Sequence, residues 1–288
     1  EKILNIEYEP FSSLRIIAQH ELYEFSKKEN CKVIFDGSGG DEISAGYTYQ
    51  VFPWLMDISK DFNLKSFKRR FKNIMSNFEK KNQNEKIFGS MLNTFLPGNT
   101  TPDGSIYEKK GFIDKDFIGE NKLIQNEIKQ PFRSFLRNSQ YSDLYHMKLP
   151  RCLKYIDRAS MKNSIEGRVP FLDHELVELS FQAPSKYKFL FNTQRILMKY
   201  DFRRSIPKKL YFKNKNTIAD PQTHWFKNNL KDYFYDLVIN NNNSSNLFNK
   251  REIEKFYNFF CNEKKHVNSF FILQVFLTEL LFQKILKN

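Results

Sequence analysis

Between Cys31 and Tyr47 the chain reads CKVIFDGSGGDEISAGY, a short apolar run that breaks into a glycine-rich turn and then into two acids. Val33-Ile34-Phe35 has the character of a buried strand, and open α/β sheets place their ligands at the carboxyl ends of such strands. Gly37, Gly39 and Gly40 let the backbone turn tightly and present N–H groups without side-chain obstruction. On these residues alone, an ordinary strand-to-helix turn is an equal reading, because glycine turns are common.

The acids separate the two readings. Asp41 and Glu42 beside a bare phosphate would repel it, whereas Mg²⁺ is held by one or two carboxylates together with phosphate oxygens. The stretch therefore suits a Mg²⁺-nucleotide. It departs from the Walker P-loop, which requires Lys-Ser/Thr after its last glycine, where this chain has Asp41-Glu42.

Residues 36–47, DGSGGDEISAGY, resemble the segment DGQGGDExxAGY or SGEGSDExxGGY that follows a core strand in the synthetase domain of glutamine-dependent asparagine synthetases. Glu9-Pro10-Phe11 is similar to the EPF element preceding that strand in the family. Residues 157–174, DRASMKNSIEGRVPFLDH, resemble the block DRxSMxxSxExRVPFLDH, and residues 206–226 resemble the LPEKI…RxxKxGF…P…W region. The four blocks occur in the family's order and span about three quarters of the chain.

The resemblance implies an α/β fold, predominantly helical here, corresponding to the C-terminal part of an adenine nucleotide α-hydrolase-like (ATP pyrophosphatase) synthetase domain. It also implies a ligase reaction that uses ATP and Mg²⁺. A carboxylate, aspartate in this family, is activated as β-aspartyl-AMP with release of pyrophosphate, and ammonia from glutamine then displaces AMP. Carried onto this sequence, Asp41 and Glu42 would serve Mg²⁺ and pyrophosphate, and the backbone of Asp36, Gly37, Ser38, Gly39 and Gly40 would face the nucleotide. Lys215 and Ser38 would be catalytic, with Lys215 offsetting phosphate charge as a cation does at a transferring group. Lys213 competes for that role, because the spacing to Pro221 and Trp225 can shift by a residue. Asp157, Arg158, Glu166 and Arg168 would be supporting charges paired within a packed region; mutual salt bridges that only fix a helix–loop geometry are the alternative.

Several positions depart from the family pattern. Ser38 stands where relatives carry Glu, Gln or Asp; Thr217-Ile218 replaces Gly-Phe; Gly167 replaces Ala. The Ser-Gly-Gly-x-Asp-Ser pyrophosphate loop and the glutaminase domain are not found between Glu1 and Asn288. Physical chemistry points the same way. Residues 32–36 form the one clear strand run, and a lone strand leaves both rows of backbone polar groups unpaired, so its neighbours are expected upstream or on a second chain. Two other functions stay open: a related amidotransferase acting on another carboxylate, and a truncated, non-catalytic partner that needs an upstream polypeptide.

The expected organisation is a nucleotide-site part over residues 1–54, a helical insert over 55–135 and a helical C-terminal part over 136–288. Residues 12–29 read as a helix with Leu14, Ile17, Leu22 and Phe25 inward. Phe67, Phe71, Met75 and Phe78 form a stripe on a basic segment, read as core-facing; a membrane-surface helix is the alternative. LPGNTTPDGS at 96–105 and the Asn-rich residues 240–246 read as loops. In the middle block, Val169 to Leu172 should be extended, Asp173 should cap the helix that follows, and Leu172 should staple onto Val177.

The net charge of +13 invites a nucleic-acid reading, but the lysines are spread through the chain, so no nucleic-acid partner is expected. The widely separated Cys31, Cys152 and Cys261 show no disulfide or ligand spacing, which suits a reducing, cytoplasmic setting. The five histidines have no metal-ligand spacing and read as surface or capping residues. The run Phe270 to Phe282 is interrupted by Gln274 and Glu279 and reads as a buried terminal helix, and no membrane partner is expected.

Overall fold

A computed structural model describes residues 1–59, 68–69, 71–72, 91, 94–95, 111–114, 129–190, 193–205, 207, 221–241, 247–263 and 269–287. In chain order, helices α1 (Lys2–Glu7) and α2 (Arg15–Lys28) precede strand β1 (Val33–Phe35), then α3 (Gly40–Ser44) and α4 (Val51–Ser59). Next come α5 (Phe135–Ser142), α6 (Leu149–Lys162), β2 (Glu166–Arg168) and α7 (His174–Gln182). A small antiparallel pair, β3 (Phe189–Leu190) with β4 (Thr193–Gln194), leads to α8 (Ile196–Asp201). The C-terminal part holds α9 (Gln222–Lys227), α10 (Lys231–Phe234), α11 (Lys250–Asn262) and α12 (Phe270–Lys287). The chain is mostly helical with few strands.

The largest core lies among α9, α10, α11 and α12, against which α1 and the start of α2 pack. Helix α12 confirms the terminal-helix expectation: Ile272, Leu273, Val275 and Phe276 are buried, and Glu279 is buried with them. Phe234 and Tyr257 stack with ring centroids 3.9 Å apart, and the Tyr257 hydroxyl donates to the Phe226 carbonyl at 2.6 Å. Tyr257→Phe should therefore cost about 1–2 kcal/mol in urea denaturation, the penalty of removing one buried hydrogen bond from an otherwise unchanged ring. Among the described residues no helix is long and apolar enough to cross a membrane.

A second cluster joins Trp54, Leu55 and Ile58 of α4 to Leu136 of α5 and Phe189, with Phe71 packed against it, as the core-facing stripe anticipates. Asp57 on α4 ties both ends of this region. Its carboxylate accepts from the Phe135 N–H (2.7 Å) and from the Ser185 hydroxyl (2.6 Å), so α4 caps α5 across the intervening segment. Phe67, Met75, Phe78 and the 96–105 loop lie outside the described residues, as do residues 242–246 of the Asn-rich loop.

Four expectations need correction. β1 is not without a neighbour in this chain: it pairs in parallel with β2, with Val33 opposite Glu166, Ile34 opposite Gly167 and Phe35 opposite Arg168. The sequence Glu-Gly-Arg hid β2 because its two charges stand on the open face while Gly167 lies against Ile156, where a Cβ would sit 3.2 Å from Cγ2. On α2 the inward residues are Ile16, His20 and Tyr23, whereas Leu22 and Phe25 are more than half exposed. At about 100° per residue Ile16, His20 and Tyr23 fall within about 60° of one another, and Leu22 and Phe25 stand about 100° or more round the helix from that stripe. His20 is not at the surface; its Nε2 lies 2.7 Å from Glu7 Oε1 in a buried pair. Finally, Pro170–Leu172 forms a 3₁₀ turn instead of an extended run. Asp173 does cap α7, accepting from Glu175 N–H (3.0 Å) and Leu176 N–H (3.3 Å), while Leu172 and Val177 both pack on the cluster containing Ile43.

One face of the β1–β2 pair is covered, with Ile34 against Tyr23, Ile156 and Ile165. The opposite face carries Phe35, which is 70% exposed, and Val33, together with the exposed ion pair between Glu166 and Arg168. Glu166 N–H donates to Lys32 O (2.9 Å) and Asp36 N–H to Arg168 O (2.8 Å). In a parallel ladder this turns the backbone groups of Val33 and Phe35 toward the other edge, where no described strand lies.

Candidate active site

The glycine turn leaves β1 at its carboxyl end, beside the carboxyl end of β2. Asp36 closes it by accepting the Ser38 N–H on Oδ1 at 2.8 Å, an Asx turn that holds Ser38 half-buried. Gly39 adopts the left-handed region with φ +90°, and a Cβ there would overlap Leu172 Cδ2. Gly40 stands against the Phe171 ring, so the PFL turn after β2 forms the floor of the loop. Two segments more than a hundred residues apart in sequence therefore make one structure.

Asp41 and Glu42 leave α3 in different directions. Asp41 meets Arg195, with Oδ1 2.5 Å from Nε. Gly46 lies tight against that pair: a Cβ there would overlap Asp41 Oδ1 and stand 2.9 Å from Arg195 Nε. Glu42 is buried and accepts the Tyr47 hydroxyl on Oε1 at 2.5 Å. Behind it lies a second buried acid, Asp143, which accepts the Tyr49 hydroxyl (2.8 Å) and the Gln50 amide (2.9 Å) on Oδ2. Asp143 opens a π-helical turn, Asp143–Met147, a geometry frequent at functional sites. Its burial pushes the carboxyl up to about 7, against the pull of Lys148 and the Tyr49 hydrogen bond.

Helix α3 is held at its carbonyl end by three other elements. Gln140 of α5 donates its amide to Glu42 O (2.8 Å) and Ile43 O (2.7 Å), and Ser180 of α7 also donates to Ile43 O. Lys188, buried beside β3, donates to Gln140 Oε1 at 2.7 Å. Burial, with help from Arg137, pulls its ammonium down to about 7. Tyr47, Gln140, Asp143 and Lys188 escaped the sequence reading. The Tyr-x-Tyr-Gln run at 47–50 was the one local signal available.

The supporting charges do not form one cluster. Arg158 bonds back to Glu7 Oε2 (3.1 Å) and lies 3.7 Å from Glu9 Oε1, anchoring α6 on the segment that ends in Glu9-Pro10-Phe11. Glu166 pairs with Arg168 at 2.8 Å on the open sheet face, and Asp157 is exposed. Lys213, Lys215, Thr217 and Ile218 lie outside the described residues. Among the described residues no group of three or more His, Cys, Asp or Glu could hold a metal ion. Mg²⁺ is held by one or two carboxylates with phosphate oxygens and water completing its shell; of the two acids here, Asp41 is ion-paired with Arg195 and Glu42 is buried against Tyr47.

The family profile described as Asparagine synthase matches residues 1–278. The chain is 22% identical over 237 residues to asparagine synthetase [glutamine-hydrolyzing] 1 of Bacillus subtilis (strain 168), an alignment covering 73% of this chain and 34% of that protein. It thus spans about a third of the length of that curated relative. No solved structure matches the chain. With a profile match that runs almost from end to end, and with the glycine turn, its acids and the PFL floor assembled as one site, the chain belongs to the asparagine synthase family.

Proposed function

We propose that the chain carries the synthetase chemistry of an ATP-dependent carbon–nitrogen ligase of the asparagine synthase type, on an adenine nucleotide α-hydrolase-like scaffold. The observation that carries this reading is the glycine turn at the carboxyl end of a parallel strand, with Gly39 left-handed and two acids directly after it. The backbone N–H groups of residues 37–40 would cradle phosphates, and Asp41 and Glu42 would hold Mg²⁺, which offsets charge on the departing pyrophosphate. In the first step a carboxylate oxygen of the acid attacks the α-phosphorus of ATP and pyrophosphate leaves. Ammonia then attacks the acyl carbon, AMP leaves, and the nitrogen sheds a proton. Ser38 at the loop and Lys215 are assigned to the acyl and phosphate groups, and Arg195 beside Asp41 adds a second cation. Arg158, Glu166, Arg168 and Asp157 support the geometry.

The edge of β1 that no described strand covers supports a further segment or partner chain that adds parallel strands and supplies ammonia from glutamine. The parts at 1–54, 55–135 and 136–288 are proposed as nucleotide site, helical insert and helical C-terminal part. The exposed thiols of Cys31 and Cys152 suit a reducing cytoplasm. Ser38, a small hydroxyl where the family carries a longer polar side chain, favours one alternative: a related amidotransferase acting on another carboxylate.

Pyrophosphate release from Mg²⁺-ATP in the presence of aspartate and ammonium tests the reading. Asp41→Asn should lower the rate about tenfold, the effect of losing one charged contact to the metal–phosphate group. Release that ignores aspartate and responds to another acid would support the alternative. Absence of both release and Mg²⁺-dependent ATP uptake would leave only the non-catalytic partner.

A further inference from the structure

Three backbone irregularities converge on one ion pair. Helix α3 ends on Ala45, held in the left-handed region at φ 57°, a conformation that suits glycine better than alanine. Arg195, the residue before α8, is left-handed as well, at φ 59°. Between them Gly46 has to stay bare, because a Cβ there would overlap Asp41 Oδ1 and stand 2.9 Å from Arg195 Nε. All three shape the chain around Asp41 and Arg195, whose Oδ1 and Nε lie 2.5 Å apart. The Arg195 side chain is 33% exposed and that of Asp41 22%. An ion pair this open to water adds little stability, less than two left-handed side chains cost. Backbone strain that stability does not explain points to a ligand.

Arg195 keeps donors in reserve. Asp41 takes its Nε–H, and no acceptor among the described residues meets either Nη group. A guanidinium held through Nε keeps the Nη1–Nη2 end of its fork for a carboxylate or phosphate. Lys199 follows one turn along α8 on the same face, half-buried and with no carboxylate partner among the described residues. Burial and the neighbouring Arg195 pull its ammonium below the usual lysine range. Asp41 alone would turn an anion away, but Asp41, Arg195 and Lys199 together carry one positive charge. We infer that Arg195, held by Asp41 and backed by Lys199, binds an oxyanion of the substrates, a phosphate of the nucleotide or a carboxylate of the acid, with no metal required. The inference rests on the reading given above for what those substrates are.

Calorimetry on the full chain in EDTA tests it, with inorganic pyrophosphate in one arm and aspartate in the other, alongside the ¹⁵N resonances of the Arg195 Nη groups. Arg195→Gln should weaken anion binding about tenfold to a hundredfold, the scale of the charge-assisted hydrogen bonds lost. Arg195→Lys keeps the charge but not the fork and should weaken it about tenfold. Lys199→Met, which removes only a neighbouring charge, should weaken it about threefold. An arginine with a purely structural role would move the unfolding midpoint and leave the dissociation constants in place. A loss confined to pyrophosphate assigns the phosphate, one confined to aspartate assigns the carboxylate, and a loss in both assigns one site open to either. In the wild type the bound anion should also shift the Nη resonances, a readout that needs no variant to fold. Absence of binding in both arms, unmoved Nη resonances, or dissociation constants that Arg195→Gln leaves unchanged would overturn the inference. Its failure is separable from that of the synthetase reading. Pyrophosphate release from Mg²⁺-ATP together with Arg195-independent anion binding removes the inference alone, whereas Arg195-dependent anion binding without that release removes the reading alone.

Discussion

Gly39→Ala should destabilise the chain by about 2–5 kcal/mol in urea denaturation and lower pyrophosphate release about a hundredfold. Two penalties combine. An L side chain at φ +90° leaves the allowed regions at a cost of about 1–2 kcal/mol, and the added methyl overlaps Leu172, a packing conflict of about 1–3 kcal/mol. The loop can relieve the overlap only by lifting off the PFL floor. That movement displaces residues 37–40 by something near an ångström, enough to misplace a reacting phosphate by the quoted factor. Gly37→Ala is the internal control for stability: its Cβ would point into open space, so its effect should stay within about 0.5 kcal/mol. Equal unfolding midpoints for the two variants would show that the PFL turn does not brace the loop.

The combined contribution of Asp143 and Lys188 to the unfolding free energy should be lowest near neutral pH, with Asp143 shaping its acid side and Lys188 its alkaline side. Asp143 titrates at about 7 in the folded chain, against 3.8 for an ordinary carboxyl. Between those values the unfolded chain has released its proton and the folded chain has kept it, so the Asp143 contribution is full below about pH 4 and falls as pH rises toward 7. Lys188 titrates at about 7 against 10.5. Between 7 and 10.5 the unfolded chain binds the extra proton, so the Lys188 contribution is full above about pH 10.5 and falls as pH drops toward 7. Each swing has a ceiling of roughly 4 kcal/mol, from about three units at 1.4 kcal/mol per unit. Asp143→Asn should flatten the acid limb and spare the alkaline one; Lys188→Met should do the reverse. Urea denaturation from pH 4 to 10 reads both limbs, and parallel curves for wild type and Asp143→Asn would remove Asp143 as their source.

What the sequence disclosed tracks how local the determining physics is. The glycine turn, the Asp173 cap and the buried terminal helix depend on neighbours within a few residues, and all were readable. β2 was not, because Glu166-Gly167-Arg168 earns its strand geometry from Lys32, Ile34 and Asp36 across the ladder, not from its own side chains. The inward face of α2 failed for a related reason: which stripe is buried depends on Ile156 and Glu7, far away in sequence. In the site, the acids were evident from their spacing beside the turn, but their divergence was not. Arg195 and Tyr47 pull Asp41 and Glu42 apart, and neither pull follows from the order of residues in DGSGGDE. The buried Lys188 was the least accessible of all. A lysine among 46 basic residues carries no sign that its ammonium ends beneath the last carbonyls of a short helix.

The uncovered flank of the small parallel sheet bears on how the chain behaves in bulk. Phe35 stands proud beside main-chain groups of β1 that no described strand covers, a geometry that templates stacking of one molecule on another. Association through that edge would be expected to grow with concentration while each molecule is still folded.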